Sequence, residues 1–279
     1  MSITCVGVAL FRLQRRLAVL VVPLCAAIGR DLRAPDDPGA TLSRIRDKVA
    51  EHLSLLPNYT CHEVIDRFVQ SVRTRGLRQY DRVEVEVAFV GQRELFARPG
   101  DAHFQEQPIT EMVRTGLIGN GTFGSITANV FLGDSATFEY RGPAEMDGHK
   151  TYRYDFQVSQ GKSQFFVNYN LTEARVPFWG SFWADSETYD LARIEIAADQ
   201  MPLDFGLSLV KESVQYTGLQ IHDSEFLLPL HGGMETADTS GNITRNDVAL
   251  QQCHEFTGES SVTFGDPVGS SADRAIPKQ

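Results

Sequence analysis

Alternation of apolar and polar residues dominates the middle of the chain, from residue 148 to residue 199. Tyr154, Phe156 and Val158 alternate with polar neighbours, and a period of two is typical of a strand with one buried and one solvated face. The same alternation lies on both sides of the polar cluster 185–188, which is the pattern of a hairpin. This stretch therefore predicts three or four consecutive antiparallel strands that share one apolar, aromatic face.

Similar patterns extend the predicted sheet on either side. Residues 82–90 alternate strictly, residues 136–140 resume the pattern, and the last strand is expected at 248–257. Together these segments predict ten or eleven strands. No internal repeat of about 20 to 50 residues is visible, which disfavours a propeller. The chain is therefore predicted to be mainly β.

Two segments have the periodicity of a helix. Apolar residues recur every three or four positions between Thr41 and Leu56, which predicts an amphipathic helix of about four turns. Thr41 is the expected N-cap, and a proline follows Leu56 as the stop. Residues 109–116 predict a short helix, and a glycine-rich segment around Phe123 and Phe131 follows it. We expect this insert to lie across the apolar face as a lid.

The first 29 residues have the pattern of a secretory signal. Arg15 and Arg16 precede a short apolar run, which ends in small residues near Ala27 and gives way to polar sequence. A bilayer span needs about 20 apolar residues, so we expect no transmembrane segment. A buried N-terminal helix is the alternative. The signal predicts a periplasmic or extracellular protein.

This reading divides the chain into four parts. The following bounds are predicted: a signal peptide at 1–29, a flexible lead-in at 30–40, a single domain at 41–264 and a disordered tail at 265–279.

Signal cleavage would remove Cys5 and Cys25 and leave Cys61 and Cys253. In an oxidising compartment an isolated pair predicts one disulfide. A histidine follows each of the two cysteines, so a zinc site is the alternative. Successive side chains on a strand point to opposite faces, however, and all four could not converge on one ion. We therefore expect a disulfide and no metal.

Charge and motifs exclude several classes of function. The net charge of −10 disfavours nucleic acid and anionic membrane surfaces as partners, because both require a basic footprint. The chain has no Gly-x-Ser-x-Gly elbow, no His-Glu-x-x-His motif and no Walker loop. We therefore assign no catalytic residue and no cofactor.

The central hairpin, residues 180–196, resembles a hairpin of a known protein family. The segment resembles the Trp-x-Asp-x-x-Thr … Arg-Ile/Leu-Glu hairpin of LolA/LolB-type outer-membrane lipoprotein carriers and their uncharacterised secreted bacterial relatives. The matching residues are Trp183, Asp185, Thr188, Arg193 and Glu195. The resemblance covers roughly residues 56–264. It implies a mainly β (α+β) fold, a curved and incompletely closed antiparallel half-barrel that the N-terminal helix and the short helical insert cover. The concave apolar face of such a fold can hold acyl chains.

These observations together predict a periplasmic or secreted, non-catalytic binding protein for an apolar or lipid-like ligand, with a cell-envelope protein as a further candidate partner. One alternative is a hydrolase or other enzyme that uses the same cavity. Another is a structural or interaction domain of the cell envelope with a filled core. Alternation alone does not say which face is concave. The predicted ligand wall comprises Phe123, Phe131, Phe156, Phe165, Phe182 and Ile194.

Overall fold

The structure is a computed structural model that describes residues 34–256, except residues 92, 102, 106–108, 114–121, 171 and 222. The predicted signal peptide and the predicted tail lie outside the described residues. The described elements are α1 (Pro38–Leu55), β1 (Tyr59–Gln70), β2 (Arg78–Val90), β3 (Arg93–Ala97), α2 (Ile109–Met112), α3 (Thr122–Phe131), β4 (Ala136–Met146), β5 (His149–Val158), β6 (Phe166–Tyr169), β7 (Thr172–Arg175), β8 (Phe178–Asp185), β9 (Leu191–Ala198), β10 (Leu207–Ile221), β11 (Ser224–Asp238) and β12 (Ile243–Glu255).

Ten of these strands form one antiparallel sheet in the order β3-β2-β1-β12-β11-β10-β9-β8-β5-β4. The sheet is open, because β3 and β4 lie at opposite edges. The mainly β half-barrel is therefore confirmed. The described strands exceed the predicted ten or eleven, because β6 and β7 form a separate two-stranded hairpin in a region where the alternation predicts continuous sheet.

The register shows which residues share a face of the sheet. Directly opposed residues in neighbouring antiparallel strands project to the same side. One row across the sheet consists of Ile65, Val248, Gly232, Val214, Ile194, Phe182, Tyr154 and Tyr140. We call this side the inner face, because α1 and α3 pack against residues of the same row.

Helix α1 begins earlier than predicted. Asp37, not Thr41, is the N-cap, and its carboxylate accepts hydrogen bonds from the backbone N–H groups of Gly39 and Ala40 at 2.8 and 3.1 Å. Pro38 occupies the first turn, where its missing N–H is tolerated. The Tyr154 hydroxyl donates to the carbonyl of Pro38 at 2.8 Å and ties this end of the helix to β5. Residues 38–40, which were predicted to belong to the flexible lead-in, are part of helix α1.

Two apolar cores lie on the inner face. The first core joins Ile45 and Val49 of α1 to Val130 of α3 and to the buried residues of β5, β8, β9 and β10. The second core joins Ile109 of α2 to the buried residues of β1, β2 and β3. The helices thus cover the sheet in two separate places, as expected for the predicted helix and insert.

The predicted disulfide between Cys61 and Cys253 is present and joins β1 to β12, with Cα atoms 4.1 Å apart. The register between the two strands shifts next to Cys61, between Thr60 and His62. Gln252, beside Cys253, has a positive φ of 52°. The bridge therefore lies at an irregular point of the ladder and closes a loop across 192 residues of sequence.

Candidate functional site

The structure brings together most of the predicted ligand wall. Phe131, Phe156, Phe165, Phe182 and Ile194 all belong to the first core, and each has at most 5% of its surface exposed. The Phe123 side chain lies outside what the structure describes. Contact between these side chains and a ligand stays a prediction.

Aromatic rings fill the first core tightly. The Phe182 ring lies 4.9 Å from that of Phe131, in an edge-to-face arrangement, and 5.2 Å from that of Tyr154, in a stack. The Phe165 ring lies 5.7 Å from that of Phe178. These are favourable aromatic geometries, and they leave little space between the side chains. The first core therefore supports the half-barrel as packed structure.

The hairpin that carries the family resemblance holds α1 in place. In its turn, the Asp185 carboxylate accepts hydrogen bonds from the backbone N–H groups of Glu187 and Thr188 at 2.8 and 2.9 Å. The next residues reach the helix, because Asp190 contacts His52 at 2.8 Å and the Tyr189 hydroxyl accepts from Arg44 at 3.2 Å. The hairpin residues thus serve the architecture.

The second core differs, because polar groups lie beside it on the inner face. Tyr59 and Glu63 alternate with the inward-facing Ile65 along β1, and Glu94 of β3 opposes Phe89, which in turn opposes Tyr59. Across the half-barrel, Tyr216 of β10 shares a 2.5 Å hydroxyl–hydroxyl hydrogen bond with Thr127 of α3. We call Tyr59, Glu63, Glu94 and Tyr216 the interior polar group.

Burial shifts the pKa values of this group. Burial raises the pKa of Glu63 to about 7, and burial together with the charge of Glu63 raises the pKa of Glu94 to about 8. Burial also raises the pKa of Tyr216 to about 12. For Tyr59 burial again raises the pKa, with further contributions from Glu94 and Tyr216.

Three residues of the interior polar group combine partial exposure with a raised pKa. Glu63, Glu94 and Tyr216 are only half-buried, yet desolvation dominates the pKa of each. A carboxyl open to bulk water would keep its ordinary pKa. Burial by the surrounding protein is thus the main influence on the pKa of all three groups.

Apolar side chains of the second core are also incompletely buried. Phe89 stacks on Tyr59 with ring centroids 4.4 Å apart and is itself half-buried. The other half-buried apolar residues that pack against the second core include Leu56, Val83, Met112, Leu219 and Phe226. The second core thus offers apolar surface next to polar groups.

A different concavity lies on the outer face of the sheet. It has a volume of about 620 Å³, and its lining includes His62, Asp66, Arg82, Arg245 and Asp247. Most of these charges are already paired, since Arg82 contacts Asp66 at 2.8 Å and Arg245 contacts Asp247 at 2.8 Å. This groove is open, charged and internally compensated, which suits water better than an apolar ligand.

Within the described ranges, no three histidine, cysteine or acidic side chains are grouped to bind a metal ion. The histidine beside Cys61 contacts Glu86 on the outer face at 3.1 Å, and the histidine beside Cys253 contacts the carbonyl of Gln252 at 3.0 Å. Among the described helices, none has the length and apolar character needed to span a membrane.

Sequence reasoning missed the interior polar group. Its signal is present, because Glu63 occupies the same alternation phase as Cys61 and Ile65, which are buried apolar residues. An acid in the buried phase of a strand is a candidate functional residue. For Glu94 the phase becomes clear only through the pairing of β2 with β3.

Comparison with known proteins gives structural neighbours alone. No protein-family model matches the chain. No curated protein sequence matches it either.

Solved structures of similar fold include a LolA superfamily protein from Nitrosomonas europaea, at 12% identity and a TM-score of 0.35, over 77% of this chain and 94% of that one. A DUF1329 family protein from Desulfovibrio piger matches at 10% identity and a TM-score of 0.40, over 81% and 96%. Lipoprotein LppX from Mycobacterium tuberculosis matches at 11% identity and a TM-score of 0.27, over 80% and 99%. A LolA superfamily protein, the family that the central hairpin resembles, is thus among the solved structures to which the chain is similar.

Proposed function

We propose that the protein binds an apolar or lipid-like ligand on the inner face of the half-barrel and performs no chemistry on it. The observation that carries this proposal is the second core, where half-buried apolar residues such as Phe89 and Val83 adjoin half-buried but desolvated polar groups. Enclosed, mostly apolar space with a few converging polar groups is the usual form of a small-ligand site.

The position of the ligand follows from the contrast between the two cores. The first core is closed by α1, α3 and the aromatic rings that surround Phe182. A ligand would have to displace these elements to reach Phe156 or Ile194. On the second core, the helix among the described residues, α2, is four residues long. We therefore place the ligand against β1, β2 and β3, with Phe131 and Phe182 on the far side as supporting structure.

A periplasmic or secreted location is part of the proposal. The basic and apolar pattern of the first 29 residues supports export. The Cys61–Cys253 bridge fits an oxidising compartment, because disulfides are rare where thiols are kept reduced. A cell-envelope protein would then be a candidate donor or acceptor of the ligand.

A space-filling substitution tests where the ligand binds. Val83 is half-buried and faces inward, opposite Ile65. In Val83→Trp we expect binding of the uncharged apolar fluorophore N-phenylnaphthylamine to weaken by roughly tenfold or more, because the indole occupies apolar space that the ligand needs. Fluorescence titration measures the affinity, and thermal unfolding checks that the variant remains folded.

The matched control is Val64→Trp. Val64 lies on the neighbouring strand, opposite Glu84, and lines the outer groove. We expect binding by this variant to equal that of the wild type. Undiminished binding by a folded Val83→Trp variant, or loss of binding in Val64→Trp alone, would contradict the inner-face site. Turnover of ester or amide probes by the wild type would favour the hydrolase alternative.

A further inference from the structure

The loop between β1 and β2 carries a local excess of positive charge. The loop contains Arg73 and Arg75 and no acid, and β2 begins with Arg78. All three side chains are exposed, and among the described residues no carboxylate forms an ion pair with any of them. Farther along β2, by contrast, Arg82 contacts Asp66 at 2.8 Å. The net charge of −10, which disfavours an anionic membrane as a partner, averages over this local excess.

Hydrogen bonds hold the β1–β2 loop in a defined shape. The backbone N–H of Arg75 donates to the carbonyl of Ser71 at 3.0 Å. The backbone N–H of Val72 donates to the side-chain oxygen of Asn242 at 3.3 Å, and the Asn242 amide in turn donates to the Asp238 carboxylate at 2.8 Å. The turn between β11 and β12 therefore supports the loop that carries the arginines.

Exposed apolar side chains lie at the same end of the sheet. Val72 and Leu77 of the β1–β2 loop are 49% and 45% exposed, and Leu203, in the loop between β9 and β10, is 96% exposed. The turn between β11 and β12 contacts this second loop as well, because the backbone N–H of Thr239 donates to the carbonyl of Gly206 at 3.0 Å. Three aliphatic side chains and three guanidinium groups thus share one end of the half-barrel.

We propose that this end of the half-barrel docks on the surface of an anionic lipid membrane. Guanidinium groups pair with phosphate head groups, and each basic side chain near an anionic surface strengthens binding by roughly fivefold. The side chains of Leu77 and Leu203 enter the boundary between head groups and acyl chains, where buried apolar area adds to the electrostatic attraction. This inference goes beyond the proposed function, which concerns a ligand inside the half-barrel.

Other partners fit these residues less well. A neutral membrane leaves the three arginines without a counter-charge. Single-stranded nucleic acids bind where bases stack on aromatic side chains, whereas Leu77 and Leu203 are aliphatic. The ring of Tyr80 on β2 is already in contact with Arg67, whose guanidinium carbon lies 5.3 Å from the ring centroid. Asp204 follows Leu203 and is exposed, so the attraction to an anionic surface comes from the β1–β2 loop.

Cosedimentation with lipid vesicles tests the docking surface. Protein purified from its own host is mixed with vesicles of phosphatidylcholine alone, or of phosphatidylcholine and phosphatidylglycerol in equal amounts. We expect the wild type to prefer the mixed vesicles, and Arg73→Gln/Arg75→Gln/Arg78→Gln to bind them less tightly by roughly tenfold or more. Leu203→Ser should weaken binding by roughly fivefold, because a side chain that enters the membrane loses its apolar surface.

Two control variants carry the same changes elsewhere. Lys48→Gln/Arg98→Gln/Lys211→Gln removes three positive charges from α1, from the segment after β3 and from β10, and Leu55→Ser removes a leucine that is 60% exposed at the end of α1. Both controls should bind the mixed vesicles as tightly as the wild type.

Three results would overturn the inference and leave the proposed ligand site untouched. The first is equal wild-type binding, or none, to the two kinds of vesicle. The second is equal binding of the mixed vesicles by the arginine variant and its control, or by Leu203→Ser and Leu55→Ser. The third is wild-type binding of a fluorescent single-stranded oligonucleotide in place of the vesicles, which would assign the arginines to a nucleic acid.

Discussion

At the scale of single residues, the main finding is a pair of half-buried carboxyl groups, Glu63 and Glu94, whose pKa values burial raises. The raised pKa values of Glu63 and Glu94 mean that the folded protein holds protons that the unfolded chain releases near pH 4.5. The alternation of residues 59–69 places Glu63 in the buried phase with Cys61 and Ile65, but it does not show which residues of other strands surround Glu63. The surroundings of Glu63 depend on the tertiary structure, because Glu94 lies on β3, which is two strands away from β1 in the sheet.

These carboxyls predict a stability that falls as the pH rises. Between about pH 5 and pH 8 the folded state binds more protons than the unfolded state, so the free energy of unfolding should decrease by roughly 1 to 3 kcal/mol across this window. Glu63→Gln/Glu94→Gln should flatten the decrease. Urea denaturation at several pH values measures it. A wild-type stability that is constant or rises over this window would contradict the desolvated environment.

Carboxylates with lowered pKa values act in a different window. The hydrogen bond from Arg82 lowers the pKa of Asp66, and that from Asn242 lowers the pKa of Asp238. Both groups stabilise the fold above the pKa of the unfolded chain, and this contribution is lost in acid, as pH falls through their folded pKa values. Their effect therefore lies below the window in which Glu63 and Glu94 titrate.

At the scale of elements, the sequence predicted the hairpin of β8 and β9 well, because period-two alternation, a polar turn and the Asp185 cap agree with one another. It predicted the separate hairpin of β6 and β7 less well. Val167 and Ala174 are buried between exposed neighbours as sheet residues are, but they pack on the first core instead of joining the main ladder. Pairing partners are a tertiary property that the local pattern does not contain.

One position in the central hairpin depends on the absence of a side chain. A Cβ atom on Gly180 would lie 1.9 Å from the carbonyl oxygen of Glu195 and 2.9 Å from the ring of Phe156. We expect Gly180→Ala to lower the free energy of unfolding by roughly 2 kcal/mol or more, because β8 and β9 would have to separate. Chemical denaturation measures this loss.

Gly161 provides the matched control. A Cβ atom there would meet no atom within 4 Å, and its backbone is not in the left-handed region. Gly161→Ala should change the stability by no more than about 0.5 kcal/mol. Equal stabilities of the two alanine variants would show that β8 and β9 do not approach as closely as described.

At the scale of the whole molecule, the sequence predicted the open antiparallel half-barrel, its helical covers and the bridge between Cys61 and Cys253. It could not predict how completely each half is filled. Phe182 and Phe89 both lie on the inner face, but Phe182 is fully buried whereas Phe89 is half-buried. That difference arises from where α1, α3 and α2 settle on the sheet, and it moves the proposed ligand from the first core to the second.

Native mass spectrometry of the protein purified from its own host tests the central claim most directly. The account predicts that the intact protein carries a noncovalent, lipid-like molecule that organic solvent releases, and that the molecule is absent from Val83→Trp prepared in the same way. It also predicts that Val64→Trp retains the molecule. A wild-type protein whose native mass equals that of its polypeptide alone, and which takes up no lipid from extracts of its host, would contradict the account.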